Sequence, residues 1–207
     1  MKKNRKGLML VLSSPSGAGK TTICKEILKK IKDLKMSISY TTRPKRKSEV
    51  DGKDYFFISE KKFKELQAKD FFIENANVFD HFYGTPKKFV EENLIKGVDV
   101  LFDIDWQGAQ KLANFSKTDI VSIFILPPSN SILKERLKKR NEDSPEIVNK
   151  RMSKAKSEIS HWIEYDYVLI NEDLAKCSDE VVTILEAERK KRDRQKFTFS
   201  FIEKLLK

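Results

Sequence analysis

Short apolar runs alternate along the chain with longer segments whose apolar residues recur every three to four positions. The runs at 8–12, 36–40, 98–104, 120–126 and 167–170 read as strands. The periodic segments at 21–34, 86–96, 107–115, 130–140, 145–162 and 179–194 read as helices, with Gly97 a stop signal after the second. Strand and helix in alternation predict an α/β fold, a parallel sheet covered by helices. Between residues 40 and 86 the alternation breaks down. Residues 41–54 are polar and turn-rich, and strand-like runs at 55–58 and 70–76 flank a helical pattern at 60–68, which predicts an α+β insertion with its own small sheet. A charged helical stretch opened by Pro127-Pro128 reads as a lid. The expected division is a core of 1–36, 91–126 and 158–207, an insertion of 37–90 and a lid of 127–157. The aromatic tail after Lys196 suits strand or helix equally.

The junction between the first strand and the first helix, Ser13-Ser14-Pro15-Ser16-Gly17-Ala18-Gly19-Lys20-Thr21-Thr22, carries the clearest chemistry. Glycines let the backbone curl without Cβ clashes, so that successive N–H groups and the positive end of the helix dipole face one anion. Lys20 is placed to neutralise the β- and γ-phosphates of a nucleotide, and the Thr21 hydroxyl to hold Mg²⁺. Ser14 stands where the G-x-x-x-x-G-K-[ST] pattern has its first glycine. A plain glycine turn with an incidental lysine is the competing reading.

Length and composition narrow the class. The 207 residues, 39% of them apolar, can bury a substantial core. No apolar run approaches the roughly 20 residues of a membrane span. The basic start followed by 8–12 imitates a secretory signal, but the run is short and lacks a small-residue cleavage pattern. Two cysteines, Cys24 and Cys177, make no disulfide framework or zinc site, so a reducing cytoplasm is the expected compartment. The net charge of +11 suits either nucleic acid or small polyanions. Much of the excess lies in the first six residues and in 189–196, read as a solvated helix face, and no aromatics interleave the basic residues as single-strand binders require. Nucleic acid is not an expected partner.

Asp103 and Asp105 follow an apolar strand, at the edge where doubly wound sheets bind ligands. Asp103 is positioned to orient Mg²⁺ through water, although both carboxylates also suit a helix N-cap. Arg43, Arg46 and Tyr55 put two guanidinium forks and a phenol on one loop, a phosphate-binding set unless the loop is a solvated basic turn. Glu74 and Tyr83-Gly84-Thr85 share that insertion. A carboxylate accepting two parallel hydrogen bonds matches the N1–H and N2–H₂ edge of guanine, where adenine has no such donor pair. The insertion therefore reads as a purine monophosphate pocket with guanine preference. His81 and His161 read as surface or packing residues.

Over roughly residues 8–192 the chain resembles the guanylate kinase family. The motifs that carry this are the loop at 15–20, Ser39-Tyr40-Thr41-Thr42-Arg43-Pro44-Lys45-Arg46, Glu49 to Tyr55, Glu74, Tyr83-Gly84-Thr85, Asp103-Ile104-Asp105-Trp106-Gln107-Gly108 and Asn171. The resemblance implies a P-loop NTPase-type core with a nucleoside-monophosphate-binding insertion and a helical lid, and transfer of phosphate from MgATP to GMP and dGMP. It further implies that Arg43, Arg46, Tyr55 and Tyr83 hold the GMP phosphate and that Ser39, Glu74, Thr85 and Asp105 read the guanine. ATP would lie on Ser14, Pro15, Ser16, Gly17, Ala18, Gly19, Lys20, Thr21 and Thr22, with Arg136, Arg140 and Arg151 as lid arginines and Asn171 near the adenine. Lys20, Arg43, Arg136, Arg140 and Arg151 would be the catalytic set. Asp80-His81 stands where many members carry Gly-Asn, and Asn141-Glu142-Asp143 replaces a common Gly-Thr turn. Two other readings stay open: a scaffold-type binding module for phosphorylated peptides, and a kinase for another nucleoside monophosphate. A homo-oligomer is also left open.

Overall fold

A computed structural model describes residues 5–78, 80–140 and 145–207, apart from the side chains of residues 139, 140, 145–151, 196, 197 and 199. Two sheets organise them. The larger contains β2 (Leu34–Met36), β7 (Asp99–Asp103), β1 (Met9–Ser13), β8 (Ile120–Leu126) and β9 (Tyr167–Ile170) in that spatial order, and every pairing is parallel. The smaller runs β4 (Phe56–Phe57), β3 (Tyr40–Thr41), β6 (His81–Pro86), β5 (Phe72–Val78), with only the β3–β4 pairing parallel.

The apolar run ending in β1 is continuous because the strand is covered on both faces. Leu8, Leu10 and Leu12 pack with Ile23, Cys24 and Ile27 of α1 (Lys20–Lys30) and with Val181 and Leu185 of α7 (Leu174–Lys190). Met9 and Val11 pack on the other side, with Val90 and Leu94 of α3 (Lys87–Ile95) and Leu112 of α4 (Trp106–Phe115). Each such side chain contributes about 1.5–3 kcal/mol of burial, so the strand leading into the loop is among the best-anchored parts of the fold. Gly97 follows α3 with φ +74, the left-handed stop expected of it.

The elements differ from expectation where local pattern meets a second constraint. The helix expected over 21–34 ends at Lys30, because Ile31 is already extended and Leu34 joins the sheet. The strand expected over 36–40 is two strands, Met36 closing β2 in one sheet and Tyr40 opening β3 in the other. An apolar-rich run does not reveal that its ends belong to different sheets. β6 is a further strand, its Gly84 packed so closely that a Cβ would lie 2.9 Å from the Phe72 ring. Asp80, just before it, takes a left-handed φ of 63°, a conformation that Gly and Asn adopt readily. The helix expected over 179–194 begins five residues earlier, capped by Asp173, whose side chain accepts from Lys176 N. α6 (Pro145–Ile159) gives way to a 3₁₀ turn at Ser160–Glu164, α2 occupies Glu60–Ala68 and α5 Asn130–Arg140 as expected, and the ambiguous tail is α8 (Lys196–Leu205).

The basic stretch at 189–196 corrects the solvated-face reading. Asp99, fully buried at the start of β7, receives Arg5 as a two-bond fork at 2.6 and 2.8 Å, Arg189 Nε at 2.7 Å and the Leu8 N–H at 2.9 Å. Arg194 pairs with buried Glu188, whereas Arg192 is 89% exposed. Arg5, Arg189 and Arg194 therefore close the fold at both ends of the chain instead of forming a solvated face. Asp99→Ala leaves two arginines without their carboxylate and one backbone N–H without an acceptor. It is expected to lower unfolding free energy by about 3–5 kcal/mol in urea titrations at neutral pH, and a loss under about 1 kcal/mol would contradict the clasp.

Candidate active site

The carboxyl ends of β1 and β7 and the face of the smaller sheet enclose one cavity of about 1090 Å³. The loop after β1 forms its floor. Gly17 and Gly19 have φ of 94° and 100°, values that suit glycine alone, and a Cβ on Gly19 would lie 2.5 Å from Asn171 Nδ2. Gly19 is also the N-cap of α1, so no side chain caps the helix and no acid occupies its first turn. An anion is the natural complement of such a terminus.

Asp103 organises the polar groups above that floor. Its carboxylate takes Lys20 Nζ at 2.6 Å on one oxygen and the Thr21 hydroxyl at 2.8 Å on the other, and Lys20 also donates to the Ile104 carbonyl at 2.8 Å. The helix-cap alternative does not describe Asp103. Burial works against the Lys20 charge, but Asp103 more than offsets it and the ammonium is held above its ordinary pKa. Thr21 and Asp103 together present hard oxygen ligands suited to a divalent cation that takes its other ligands from phosphate and water. Among the described residues there is no group of three or more His, Cys, Asp or Glu that could hold a metal by itself.

Ala18 is buried under the loop, and its carbonyl receives Asn171 Nδ2 at 2.7 Å and Arg136 Nη1 at 3.3 Å. Asn171 and Arg136 thus reach the cavity while bracing the loop from behind. Arg140 and Arg151, expected beside Arg136, have side chains outside the described residues, as does the Asn141-Glu142-Asp143 segment.

The smaller sheet supplies the opposite wall. Arg43, Arg46, Tyr55, Tyr83, Ser39 and Glu74 all line the cavity. The Arg43 guanidinium lies 5.3 Å from the Tyr55 ring centroid and forks onto Glu49 at 2.7 and 3.0 Å. Burial, reinforced by Asp103 and Tyr83, raises the Tyr55 phenol, which stays a neutral donor. Thr85 is fully buried and does not form the wall. Its hydroxyl donates to Glu74 at 2.7 Å and receives Ser37 at 3.3 Å, and with its proton so spent, Ser39 at 3.2 Å must donate as well.

Glu74 is 3% exposed, and its carboxyl is pushed up to about 7, first by burial and then by the nearby Asp105, against the lowering influence of Thr85 and Lys111. Asp105 does serve as an N-cap, accepting from Gly108 N at 3.0 Å, and it faces the cavity too. Gly108 carries no Cβ at the point where one would sit 3.0 Å from Glu74 Oε2.

Two polar cavity residues, Glu158 and His81, escape sequence reasoning, and Gly108, which lies against Glu74 beside the cavity, does so in part. Glu158 of α6 accepts the Ser16 N–H at 3.0 Å, a contact across 142 positions with no local signal. Gly108 is legible only as part of a motif, and His81, read as a surface or packing residue, lies on the cavity wall. His161 does pack, stacked 3.7 Å from Trp106 and bonded to Glu164.

The arrangement joins a loop for one phosphate chain to a pocket with paired arginines and a buried carboxyl. The sequence model of the guanylate kinase family matches residues 6–188. The chain belongs to the guanylate kinase family. A member from Paramagnetospirillum magneticum is 56% identical over 93% of this chain and 90% of its own length, and one from Zymomonas mobilis is 53% identical over 98% and 94%. The crystal structure of guanylate kinase from Anaplasma phagocytophilum superposes with a TM-score of 0.80 at 40% identity, covering 94% of this chain and 93% of that one.

The Glu74 environment makes stability pH-dependent. With its folded pKa raised from an ordinary 4.5 to about 7, the group contributes stability that is complete below about 4.5 and is lost as pH rises through about 7. Urea unfolding of the ligand-free protein is expected to show wild type losing stability relative to Glu74→Gln between pH 5 and pH 8. A difference between the two that does not change with pH would contradict the buried-carboxyl assignment.

Proposed function

We propose that this protein transfers the γ-phosphoryl group of MgATP to GMP, and to dGMP, giving ADP and the nucleoside diphosphate. The observation that carries this reading is the single cavity in which Lys20 on the loop faces a wall bearing Arg43, Arg46 and Glu74. A non-bridging oxygen of the GMP phosphate attacks the γ-phosphorus in line. The bond to the β–γ bridging oxygen breaks, and its electron pair leaves on ADP. The acceptor phosphate has a second pKa near ~6 and is mostly dianionic at neutral pH, so no general base is required. The work of the site is to bring two polyanions together.

On this reading Lys20 and the loop from Ser14 to Thr22 hold the donor phosphates. Thr21 and, through water, Asp103 would hold Mg²⁺, which would supply positive charge to the donor phosphates. Arg43, Arg46, Tyr55 and Tyr83 hold the acceptor phosphate, while Glu74, Ser39 and Asp105 read the guanine edge and Thr85 orients Glu74. Core (1–36, 91–126, 158–207), insertion (37–90) and lid (127–157) are the moving parts, and closure brings Arg136, Arg140 and Arg151 to the transferring group and excludes water. Asn171 supports the loop beside the adenine end. The buried free thiols Cys24 and Cys177 fit a reducing cytoplasm, where the reaction serves purine nucleotide recycling. No helix among the described residues is long and apolar enough to cross a membrane. The phosphopeptide-module reading is disfavoured by the intact Lys20–Asp103–Thr21 cluster, which such a module does not need.

ADP release measured with GMP, dGMP, AMP, CMP, UMP and dTMP in turn is expected to respond to the two guanine nucleotides. Absence of GMP-dependent turnover would sink the reading, and preference for another base would remove the role given to Glu74. Lys20→Ala should lower turnover about 10²-fold or more while its circular dichroism matches wild type, and retention of over about a tenth of the rate overturns the role of Lys20.

A further inference from the structure

Arg43 and Arg46 sit on the stretch between β3 and β4, which has neither helix nor ladder to set their positions. Backbone turns and carboxylates such as Asp51 and Asp54 shape its later part, and around the two arginines the side-chain bonds converge on one residue. Glu49 accepts Arg43 Nη2 at 2.7 Å and Arg43 Nη1 at 3.0 Å, takes the Arg46 backbone N–H at 2.8 Å, and lies 3.7 Å from the Arg46 guanidinium. The side chains of Glu49 and Arg43 are each 12% exposed, so the pair is shielded from water and salt. Glu49 is not on the cavity wall; both arginines are.

We propose that Glu49 is the positioning residue of the acceptor-phosphate site, fixing the Arg43 fork and the Arg46 turn in the arrangement that receives a phosphomonoester dianion. This rests on the acceptor reading given above. The geometry supplies the reason. The rings of Tyr55 and Phe57 lie 5.3 and 5.6 Å from the guanidinium carbon and set where its plane rests, but stacking leaves rotation within the plane free. A two-bond carboxylate removes that rotation. Of the five N–H donors, three are spent on Glu49 and the Pro44 carbonyl at 2.7 Å, which leaves two for Tyr83 and the incoming phosphate. Glu49 stays ionised in this position. Partial burial opposes its charge, but Arg43 and the Arg46 N–H hold its carboxyl below the usual range. Its negative charge also offsets the mutual repulsion of the two neighbouring guanidiniums. Without it Arg43 would keep only the Pro44 carbonyl, Tyr83 and the two rings, Arg46 would lose its neighbouring carboxylate, and more of their ordering would fall to the ligand.

Calorimetric binding of GMP and of guanosine, the same base and sugar without phosphate, separates positioning from general support of the insertion. In wild type GMP should bind more tightly than guanosine. In Glu49→Gln that advantage should shrink about 10-fold to 100-fold, with guanosine affinity and the KM for ATP within about twofold of wild type. Glu49→Asp keeps the charge but is too short to chelate Arg43, and should resemble Glu49→Gln. The proposal is overturned if Glu49→Gln keeps the full advantage, if it weakens GMP and guanosine equally, or if Glu49→Asp behaves as wild type, which would make charge balance the whole effect. If wild type itself binds GMP no better than guanosine, the acceptor reading fails first and takes this proposal with it.

Discussion

Lys20 has to keep its positive charge at the bottom of a cavity, where removing an ammonium from water costs several kcal/mol, and Asp103 is the group that makes this tolerable. The pairing is possible only because β1 and β7 are adjacent and parallel, in a register that sets Leu12 beside Asp103. Both strands then end at the same level, one running into the phosphate loop and the other presenting its last carboxylate to that loop. The double-sided burial of β1 and β7 thus has a purpose beyond stability. It holds Lys20 and Thr21 at bonding distance from Asp103, which lies more than eighty positions further along the chain.

The same economy of charge governs the opposite wall, with a different outcome. Glu74 has no ion-pair partner among the described residues; it has Thr85, two serines behind that threonine, and Asp105 and Lys111 acting on it with opposite signs. Such a carboxyl, pushed up to about 7, takes up and releases its proton around neutral pH, and two N–H donors from a ligand edge favour its ionised form. Gly108 leaves the space that the carboxylate occupies, and Lys111 of the same helix reaches the Asn75 carbonyl of β5, so α4 ties the core sheet to the strand bearing Glu74. The two walls of the cavity are therefore joined in part through a helix whose cap, Asp105, is itself a cavity residue.

What was legible in the sequence was what local backbone chemistry dictates. Gly17, Gly19 and Lys20 announce a loop before a helix because a particular curl needs those residues, and the run at 120–126 is a strand bounded as its apolar pattern implies. The cavity residues gathered around motifs were legible for the same reason. Contacts made by ordinary residues at long range were not. Glu158 reaching Ser16, Asp99 gathering Arg5 and Arg189, and the division of 36–40 between two sheets depend on how elements are placed, and each leaves only a glutamate, an aspartate or an apolar pair in the sequence. The basic tail shows the cost of reading charge by composition alone, since Arg189 and Arg194 are bound inward while Arg192, in the same run, is exposed.

The cavity's cations share one property that bears on selectivity. Lys20 is held by Asp103, Arg43 by Glu49, and Arg136 by the Ala18 and Asn171 carbonyls, so none of these three waits as a bare charge. A weakly coordinating anion gains little from a site already satisfied internally, because it competes with partners that are pre-positioned and partly dry. A phosphate chain can do better by meeting several of these donors together, along with the open N-terminus of α1 and the left-handed turn at Gly17 and Gly19. Internal carboxylates and carbonyls thus set these cations in place, so that the site favours a ligand meeting several of them at once over one meeting a single charge.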